Sequence, residues 1–529
     1  MIKVLVSDSL SREGLAVLEA AEGIHCDYKP GLSEEELAHA ISDYEGLVIR
    51  SGSKVTARVI EGATKLRVVG RAGIGVDNVD VPAASRRGII VMNTPTGNAV
   101  TTAEHALSLL FAVARKIAQA DATMKAGGWE KKKLAGRELS GKTLGVIGLG
   151  NIGRIVADRA RGLHMNVIAF DPVVTADRAA ELGIELVTLD ELFRRSDAIT
   201  VHTPKTPETT GLVNDDAIGR MKPGVLLINA ARGGIYDEDA VLRGLESGKV
   251  GGAGFDVFPK EPPGLTPLIA HPLVVATPHL GASTAEAQTR VAVEIAEQVV
   301  AYLSTGTISN SVNVPAVPRE MASLLGPYTT LARRLGLFLA AVETVKPTAI
   351  TVECAGEASG LKTAPIVNEA VAGLLSGFLS SPVNSVSAPL LAKDRGIEIR
   401  EEKTSEKGAF STMLTLRVMS HDGTSATVSG SLGSDGSPRL VRWGVYELDA
   451  LLQGSALAIR NRDLPGVIGG IGTILGTAGV NVSRMQMGLD TSTGQAASVW
   501  GLSSSPPADV LEKLRAAKDV GEVFSVTLG

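Results

Sequence analysis

Three glycines and a carboxylate at fixed spacing are the part of this sequence most typical of a nucleotide site. The apolar run KTLGVIGLG ends with Gly148 and Gly150. Gly153 lies at the start of the helix-forming segment that follows. This order suits a pyrophosphate, because the glycines allow a tight turn and close backbone approach while a helix N-terminus offers free N–H groups. Asp171 follows the next apolar run, where a carboxylate accepts hydrogen bonds from ribose hydroxyls and repels a 2′-phosphate. The pattern therefore predicts NAD rather than NADP, and a glycine turn in a cofactor-free domain is the alternative.

Three further side chains follow apolar runs and could act on a substrate bound nearby. Arg232 follows VLLINAA, Glu261 stands between prolines in FPKEPP, and His279 follows LVVATP. Residues at the carboxyl ends of parallel strands face the ligand crevice. A guanidinium there can bind a substrate carboxylate, and a histidine beside a carboxylate can exchange a proton near neutral pH. Each residue alone would ordinarily be structural or solvated, but their shared position predicts a catalytic set. His271 precedes its strand instead, so we expect it to be structural.

The elements that would position these residues follow the rhythm of α/β domains. Over about the first 300 residues, short apolar runs alternate with amphipathic segments, which is typical of two parallel sheets with right-handed crossovers. A linker is expected at 312–318, where two prolines interrupt the pattern. Two amphipathic helices and then alternating strands are predicted from Arg319 to Leu452. The remaining residues follow the strand-helix-strand-strand-helix-strand order of a ferredoxin-like domain.

Composition narrows the classes of protein that this chain could represent. The 529 residues suffice for roughly three or four domains, and the net charge is −5 with 3% aromatic residues. No basic groove or stacking platform for nucleic acid, and no membrane-spanning run, is expected. Cys26 and Cys354 form no CxxC pair, so we expect neither a disulfide framework nor a metal site. The composition predicts a cytoplasmic protein whose partner is a small molecule or another protein chain.

Four motifs taken together resemble the D-isomer-specific 2-hydroxyacid dehydrogenases. The motifs follow one another in that family's order, and they are GLGNIGR with Asp171, NAARGGI, FDVFPKEPP and TPHLGAST. The resemblance covers residues 1 to about 316. It implies an α/β fold in which a Rossmann-type NAD domain (98–284) is inserted in a flavodoxin-like substrate domain (1–97 and 285–316), with a return helix at about Thr284 to Leu303. It also implies Arg232 as the substrate anchor, Glu261 as the histidine's partner and His279 as the acid-base. The implied cofactor contacts are Gly148, Gly150, Asn151, Ile152, Gly153, Arg154, Ile155, Asp171, Thr203, Pro204, Ala230, Ala231, Asp256 and Gly281.

The rest of the chain resembles one branch of that family. An α+β intervening domain (317–452) and a ferredoxin-like ACT regulatory domain (453–529) resemble the long enzymes that oxidise 3-phosphoglycerate to 3-phosphohydroxypyruvate, the first step of phosphorylated serine biosynthesis. A phosphorylated substrate requires cations. The substrate contacts implied are Arg50, Arg71, Lys131 and Lys132, with the main chain of Gly73, Ile74 and Gly75.

Assembly and regulation are also implied by the resemblance. In such enzymes the region of Lys131 and Lys132 reaches the neighbouring subunit's site within a homotetramer, although a solvated surface run is the alternative. An L-serine effector would bind near Asn461, Asp463 and Asn481, and Asn461 departs from the histidine or tyrosine often found there. One alternative is a glyoxylate/hydroxypyruvate reductase or a D-lactate dehydrogenase, which would need neither the ACT domain nor the phosphate cations. Another is an NAD-sensing corepressor-like protein that binds a partner.

Overall fold

Four β-sheets, formed by successive parts of the chain, organise the residues that the computed structural model describes, which are 1–315, 319–343, 346–379, 382–406 and 410–528. The linker predicted at 312–318 lies partly outside these residues. No helix within the described ranges is long and apolar enough to cross a membrane. The residue boundaries of the four domains stay a prediction.

The first sheet is parallel, with the strand order β2-β1-β3-β4-β5. This is the flavodoxin-like order expected for the substrate domain. Its central strands are buried on both faces, which explains their continuous apolar runs. The elements are β1 (Ile2–Val6), α1 (Arg12–Ala20), β2 (Ile24–Tyr28), α2 (Glu34–Ala40), β3 (Gly46–Ile49), α3 (Ala57–Gly62), β4 (Val68–Arg71), α4 (Val81–Arg86) and β5 (Ile90–Met92).

The second sheet has the doubly wound order of a Rossmann domain, β12-β11-β10-β9-β6-β7-β8. The strand order reverses beside β6, and ligands of open parallel sheets bind at such a switch point. The elements are α5 (Ala99–Ala114), α6 (Ile117–Lys125), β6 (Thr143–Ile147), α7 (Asn151–Gly162), β7 (Asn166–Phe170), α8 (Ala176–Glu181), β8 (Glu185–Leu186), α9 (Leu189–Arg195), β9 (Ala198–Val201), α10 (Asp215–Arg220), β10 (Val225–Asn229), α11 (Glu238–Glu246), β11 (Val250–Phe255), α12 (Pro267–Ala270) and β12 (Val274–Ala276).

A long helix returns the chain from the second sheet to the first. It is α13 (Ala285–Thr305), close to the predicted return helix, and Thr284 caps its N-terminus by accepting the N–H of Ala287. Its apolar side packs into the core of the first sheet. The approach to α1 is so close that a Cβ on Gly14 would lie 2.7 Å from the Cβ of Ala292. The helix therefore belongs to the first sheet's core, although it follows the second in sequence.

The third sheet is mixed, with the order β14-β13-β15-β16-β17-β18. The prediction that two helices precede all its strands is wrong, because β13 lies between the helices. The buried side chains of Ile350, Val352 and Cys354 alternate along β13 and face the core, as a strand requires. The elements are α14 (Arg319–Val342), β13 (Pro347–Gly356), α15 (Ala364–Ser376), α16 (Ala388–Asp394), β14 (Glu398–Thr404), β15 (Thr412–Ser420), β16 (Ser425–Leu432), β17 (Pro438–Trp443) and β18 (Tyr446–Leu451).

The fourth sheet is antiparallel, with the order β20-β21-β19-β22. This order confirms the predicted ferredoxin-like arrangement. One apolar core is shared with the third sheet, since Ala458 and Val499 pack in the same cluster as Leu416 and Val428. The elements are β19 (Ser455–Arg462), α17 (Val467–Thr477), β20 (Val482–Asp490), β21 (Gln495–Leu502), α18 (Ala508–Arg515) and β22 (Val520–Thr527).

Candidate active site

A cavity of about 1170 Å³ lies between the first and second sheets, at the carboxyl ends of their strands. It is large enough for a dinucleotide together with a small acid. Most of the predicted site residues line it, although they come from distant parts of the chain. These are Asn151, Ile152, Thr203, Pro204, Ala230, Ala231, Asp256 and Gly281 of the cofactor set, Arg71, Ile74 and Gly75 of the substrate set, and Arg232, Glu261 and His279.

The glycine turn between β6 and α7 has the shape that a pyrophosphate requires. Gly148 has φ 94, and a Cβ on Gly153 would lie 1.9 Å from the carbonyl oxygen of Gly148, so the turn and helix can approach only if position 153 is glycine. Nothing lies within 4 Å of the Cβ position of Gly150, which is the N-cap of α7. The helix N-terminus therefore faces open space, where its N–H groups can bind phosphate oxygens.

Two polar atoms beside this turn are buried and have no hydrogen-bond partner among the described residues. They are the Thr203 hydroxyl and Nδ1 of His202, and both residues line the cavity. Burial lowers the pKa of His202 to about 3, so its ring is neutral at ordinary pH. Unpartnered buried polar atoms are costly unless a ligand satisfies them. The residues present thus fit a bound dinucleotide.

Asp171 follows β7 and lies against the glycine turn. Its Oδ2 accepts the N–H of Leu149 at 2.7 Å, and its Oδ1 accepts those of Val173 and Val174 at 2.8 and 3.0 Å. Burial opposes its ionisation, but these three donors hold the pKa of the carboxyl below its ordinary value. A negative charge is therefore fixed at the predicted ribose position, where it opposes a 2′-phosphate.

Three predicted cofactor residues on α7, Gly153, Arg154 and Ile155, do not line the cavity, and neither do Gly148, Gly150 and Asp171. Arg154 donates to the side chain of Asn151 at 2.9 Å, and its own side chain is exposed. Ile155 packs instead against the core of the second sheet. Asn151 lines the cavity and donates to the carbonyl of Pro95 at 3.1 Å, which joins the start of α7 to the chain leaving the first sheet.

His279 and Glu261 form a direct pair. Nδ1 of His279 lies 2.7 Å from Oε2 of Glu261, and the other carboxylate oxygen accepts the N–H of Phe258 at 3.0 Å. Because a carboxylate only accepts, Nδ1 carries the hydrogen of the neutral ring and Nε2 is left as an acceptor. The His279 side chain is 51% exposed, so a ligand in the cavity can reach it. This arrangement suits a general base whose positive form a carboxylate stabilises.

Asp256 directly follows β11, close to this pair, and is fully buried. It lines the cavity, as its predicted cofactor role requires, and its carboxylate also accepts the N–H groups of Leu280 and Gly281. His105 and Thr277 bond to the same carboxylate, and sequence reasoning missed both. His105 stands in the apolar helix segment TTAEHALSLL, where periodicity indicates only a helix and gives no sign of a partner 151 residues away.

The guanidinium groups of Arg71 and Arg232 both lie beside the loop from Gly73 to Gly75. A Cβ on Gly73 would lie 1.6 Å from a guanidinium nitrogen of Arg71, and one on Gly75 would lie 1.9 Å from that of Arg232. Burial, with the like charges of Arg232 and Arg50, lowers the pKa of Arg71 to about 10. Its Nε is buried without a hydrogen-bond partner among the described residues. This concentration of positive charge suits an anion with more than one acidic group.

Asp77 is a partner of Arg232 that the sequence did not reveal. Its Oδ2 accepts from Nε of Arg232 at 3.0 Å, across 155 residues of sequence. The ion pair orients the guanidinium so that one terminal nitrogen, Nη2, lies beside the glycine loop, while Nη1 donates to the carbonyl of Ala231 at 2.7 Å. Lys54 and Lys205, which also line the cavity, are further cations that sequence reasoning missed.

Some predicted substrate residues have other surroundings. The N–H of Gly73 donates to the hydroxyl of Thr94 at 2.8 Å. Its role as a donor to a substrate carboxylate stays a prediction. The Arg50 guanidinium donates to the carbonyl of Ser9 at 3.2 Å and does not line the cavity. Lys131 and Lys132 are exposed and lie outside the cavity of their own chain.

The residues predicted for an effector lie in the fourth sheet, away from this cavity. Asn461 is buried, and its amide donates to the carbonyl of Arg462 at 2.8 Å. Asp463 and Asn481 are exposed, one before α17 and the other just before β20. His271 also lies outside the cavity, at the end of α12, where its Nδ1 accepts the N–H of Leu273 at 3.2 Å.

The fold and the site together define the class of NAD-dependent 2-hydroxyacid dehydrogenases. They combine a doubly wound sheet, a glycine turn with Asp171, and the set of Arg232, Glu261 and His279. Residues 107–281 match the model of the NAD-binding domain of D-isomer specific 2-hydroxyacid dehydrogenases. Residues 324–443 match the intervening domain of D-3-phosphoglycerate dehydrogenase.

Comparisons over the whole chain are more specific. A D-3-phosphoglycerate dehydrogenase of Synechocystis is 39% identical, with 100% of this chain and 95% of the relative covered. That of Archaeoglobus fulgidus is 40% identical, with 97% of each chain covered. A glyoxylate reductase structure from Paecilomyes thermophila is 27% identical with a TM-score of 0.55, covering 59% of this chain and 98% of its own. The chain belongs to the D-3-phosphoglycerate dehydrogenase family.

Proposed function

We propose that this chain catalyses the NAD-dependent oxidation of 3-phospho-D-glycerate to 3-phosphohydroxypyruvate, the first step of phosphorylated L-serine biosynthesis. The observation that carries the proposal is that Arg71 and Arg232 both lie against one glycine loop, in the cavity that the His279 and Glu261 pair also lines. The full-length relatives support the same activity. The reaction belongs in the cytoplasm, where the free thiols of Cys26 and Cys354 persist.

The proposed mechanism uses the catalytic set as follows. Arg232 binds the substrate carboxylate and so fixes the C2 carbon and its hydroxyl beside His279. Nε2 of neutral His279 takes the hydroxyl proton, and Glu261 stabilises the imidazolium that results. NAD, when bound beside the glycine turn, would supply the acceptor for the hydride that leaves C2. The alcohol thus becomes a ketone, and its hydroxyl proton is held on His279.

The phosphate of the substrate requires a separate positive site. Arg71 is half-buried, lies beside the glycine loop and has a buried Nε without a partner among the described residues, while Lys54 adds a cation at the cavity wall. A phosphate dianion gains more binding free energy at such a site than a neutral hydroxymethyl group does, because a partly desolvated cation attracts the dianion strongly. The site therefore favours a phosphorylated 2-hydroxy acid over glycerate or lactate.

A turnover assay with the purified chain tests this proposal. Reduction of phosphohydroxypyruvate by NADH is followed at 340 nm and compared with reduction of hydroxypyruvate, glyoxylate and pyruvate under the same conditions. We expect kcat/KM for the phosphorylated substrate to be higher by at least about a hundredfold, which corresponds to about 2.7 kcal/mol. Equal efficiency with hydroxypyruvate or glyoxylate would instead assign the chain to the reductases of unphosphorylated acids.

We further propose a homo-oligomer, with a tetramer as the expected state, in which Lys131 and Lys132 reach the neighbouring subunit's substrate. Trp129, two residues before Lys131, is 78% exposed, and α5 and α6 also carry exposed apolar side chains. Exposed apolar groups of this size typically mark an interface. Mixing a His279→Gln chain with a Lys131→Ala/Lys132→Ala chain tests the role of the lysines, since sites that combine intact residues from both chains should regain activity. No gain above the separate variants would overturn it.

We also propose that L-serine inhibits the enzyme by binding near Asp463 and Asn481. Both side chains are exposed at the turn before α17 and at the entry to β20, where they can meet an ammonium and a carboxylate or hydroxyl. Asn461 is buried behind that turn and would support its shape. Initial rates at graded serine concentrations test the proposal, with Asp463→Ala as the variant expected to lose inhibition. Full activity of the parent chain at millimolar serine would contradict it.

A further inference from the structure

The loop that carries His279 is attached to one residue by three consecutive backbone N–H groups. The carbonyl oxygen of Asp256 accepts from His279 at 2.9 Å, its Oδ1 accepts from Leu280 at 2.7 Å and its Oδ2 accepts from Gly281 at 2.8 Å. His279 has φ 55, in the left-handed region that costs a non-glycine residue on the order of 1 kcal/mol. The conformation of the loop therefore depends on the position of Asp256.

His105 holds the Asp256 carboxylate from the side of α5. Its Nε2 lies 3.1 Å from Oδ1 of Asp256 and 3.0 Å from the hydroxyl oxygen of Thr277, and that hydroxyl lies 2.6 Å from the same Oδ1. Because a carboxylate only accepts hydrogen bonds, Nε2 of His105 carries a hydrogen. Donors from α5 and from the end of β12 thus fix one orientation of the carboxylate.

The carboxylate that His105 holds is charged. Burial opposes the ionisation of Asp256, but the donors from His105, Thr277 and Leu280 hold the pKa of its carboxyl below its ordinary value. A charged acceptor forms stronger hydrogen bonds with the loop N–H groups than a neutral one. Loss of the His105 donor would weaken both the orientation and the charge of the group to which the loop is attached.

We infer that His105 is a positioning residue for the dehydrogenase reaction, acting through Asp256 to keep the 279–281 loop in the conformation that presents His279 to the substrate. His105 is outside the wall of the cavity, and its side chain is only 19% exposed. The inference rests on the proposed role of His279 as proton acceptor. It adds a residue of α5 to the groups on which turnover depends.

Two substitutions of His105 separate positioning from packing. His105→Leu removes the donor, whereas His105→Gln keeps an N–H donor on a side chain of similar reach. We expect kcat of the Leu variant to fall by about tenfold or more, since small displacements of a catalytic group are costly. KM for the hydroxy acid should stay within about twofold, because Arg232 lies on another strand, and the Gln variant should keep most of the turnover. His39→Leu, on the exposed face of α2, is the matched control.

Hydrogen exchange of the 279–281 amides provides a readout that needs no substrate. We expect these amides to exchange faster in His105→Leu than in the parent chain, by about tenfold or more, and to stay protected in His105→Gln. This result would stand even if 3-phosphoglycerate proved not to be the substrate. Unchanged exchange and kcat in the Leu variant, or an equal loss in the Gln variant, would overturn the inference. Thr277→Val removes a second donor to Asp256 and replaces His105→Leu if that chain does not fold.

Discussion

At the scale of single residues, the chemistry depends on side chains that follow strands. Arg232, Glu261 and His279 could be predicted because a polar residue after a buried run of a parallel sheet lies at the ligand crevice. Two contacts around them could not be predicted: Asp77 bonds to Arg232 across 155 residues of sequence, and His105 bonds to Asp256 across 151. The hydrogen bond from the Gly73 N–H to the Thr94 hydroxyl also could not be predicted, because it depends on how two loops pack.

We expect the charge of Asp171 to select NAD over NADP. Asp171→Asn keeps an oxygen acceptor for the loop N–H groups but removes the charge that opposes a 2′-phosphate. We expect the preference for NAD over NADP, as a ratio of kcat/KM values, to fall by about tenfold, or about 1.4 kcal/mol. Asp177→Asn, exposed on α8, serves as the control and should leave the ratio unchanged. An unaltered ratio in Asp171→Asn would assign cofactor selection to other residues.

At the scale of elements, the sequence predicted the glycine turn and the strand rhythm, because both depend on local backbone limits. It did not predict that β13 separates α14 from α15, since a short apolar run is compatible with a buried strand or a buried helix. We expect cofactor binding to depend on the close contact between the turn after β6 and the start of α7. That contact is made possible by the missing side chain of Gly153.

Gly153→Ala tests that contact. The added Cβ would lie 1.9 Å from the carbonyl oxygen of Gly148, so α7 must shift from the strand. We expect a loss of about 1–3 kcal/mol in the free energy of unfolding and weaker NADH binding in a fluorescence titration. Gly162→Ala, at the other end of the same helix with nothing within 4 Å, should be neutral or stabilising. Equal NADH affinity in both variants would show that the turn does not determine cofactor binding.

At the scale of the whole molecule, the third and fourth sheets share one apolar core. A polar contact joins them as well: Arg460 of β19 forms an ion pair with Glu343 and lies 4.6 Å from the centroid of the Trp443 ring. The indole N–H of Trp443 donates to the same Glu343 carboxylate at 3.3 Å. A signal from an effector in the fourth sheet would therefore have to move both sheets together.

Calorimetry tests whether these two sheets are coupled. Glu343→Gln removes the charge to which Arg460 and Trp443 bond, and we expect it to lower the stability of the unit by about 2 kcal/mol while leaving a single transition for both sheets. Glu447→Gln removes an exposed ion pair with Arg442 and should cost less than about 0.5 kcal/mol. A separate melting transition for the fourth sheet in the parent chain would contradict the shared core.

The most direct measurement of the central claim compares two histidines that lie eight residues apart. Single-turnover oxidation of 3-phosphoglycerate is followed by NADH formation in His279→Gln and His271→Gln, with NADH affinity measured in both. We expect His279→Gln to lose at least about a hundredfold in rate with NADH affinity retained, and His271→Gln to keep nearly the parent rate. A His279→Gln chain that turns over at the parent rate, or a similar loss in both variants, would contradict the assignment of His279 as the proton acceptor.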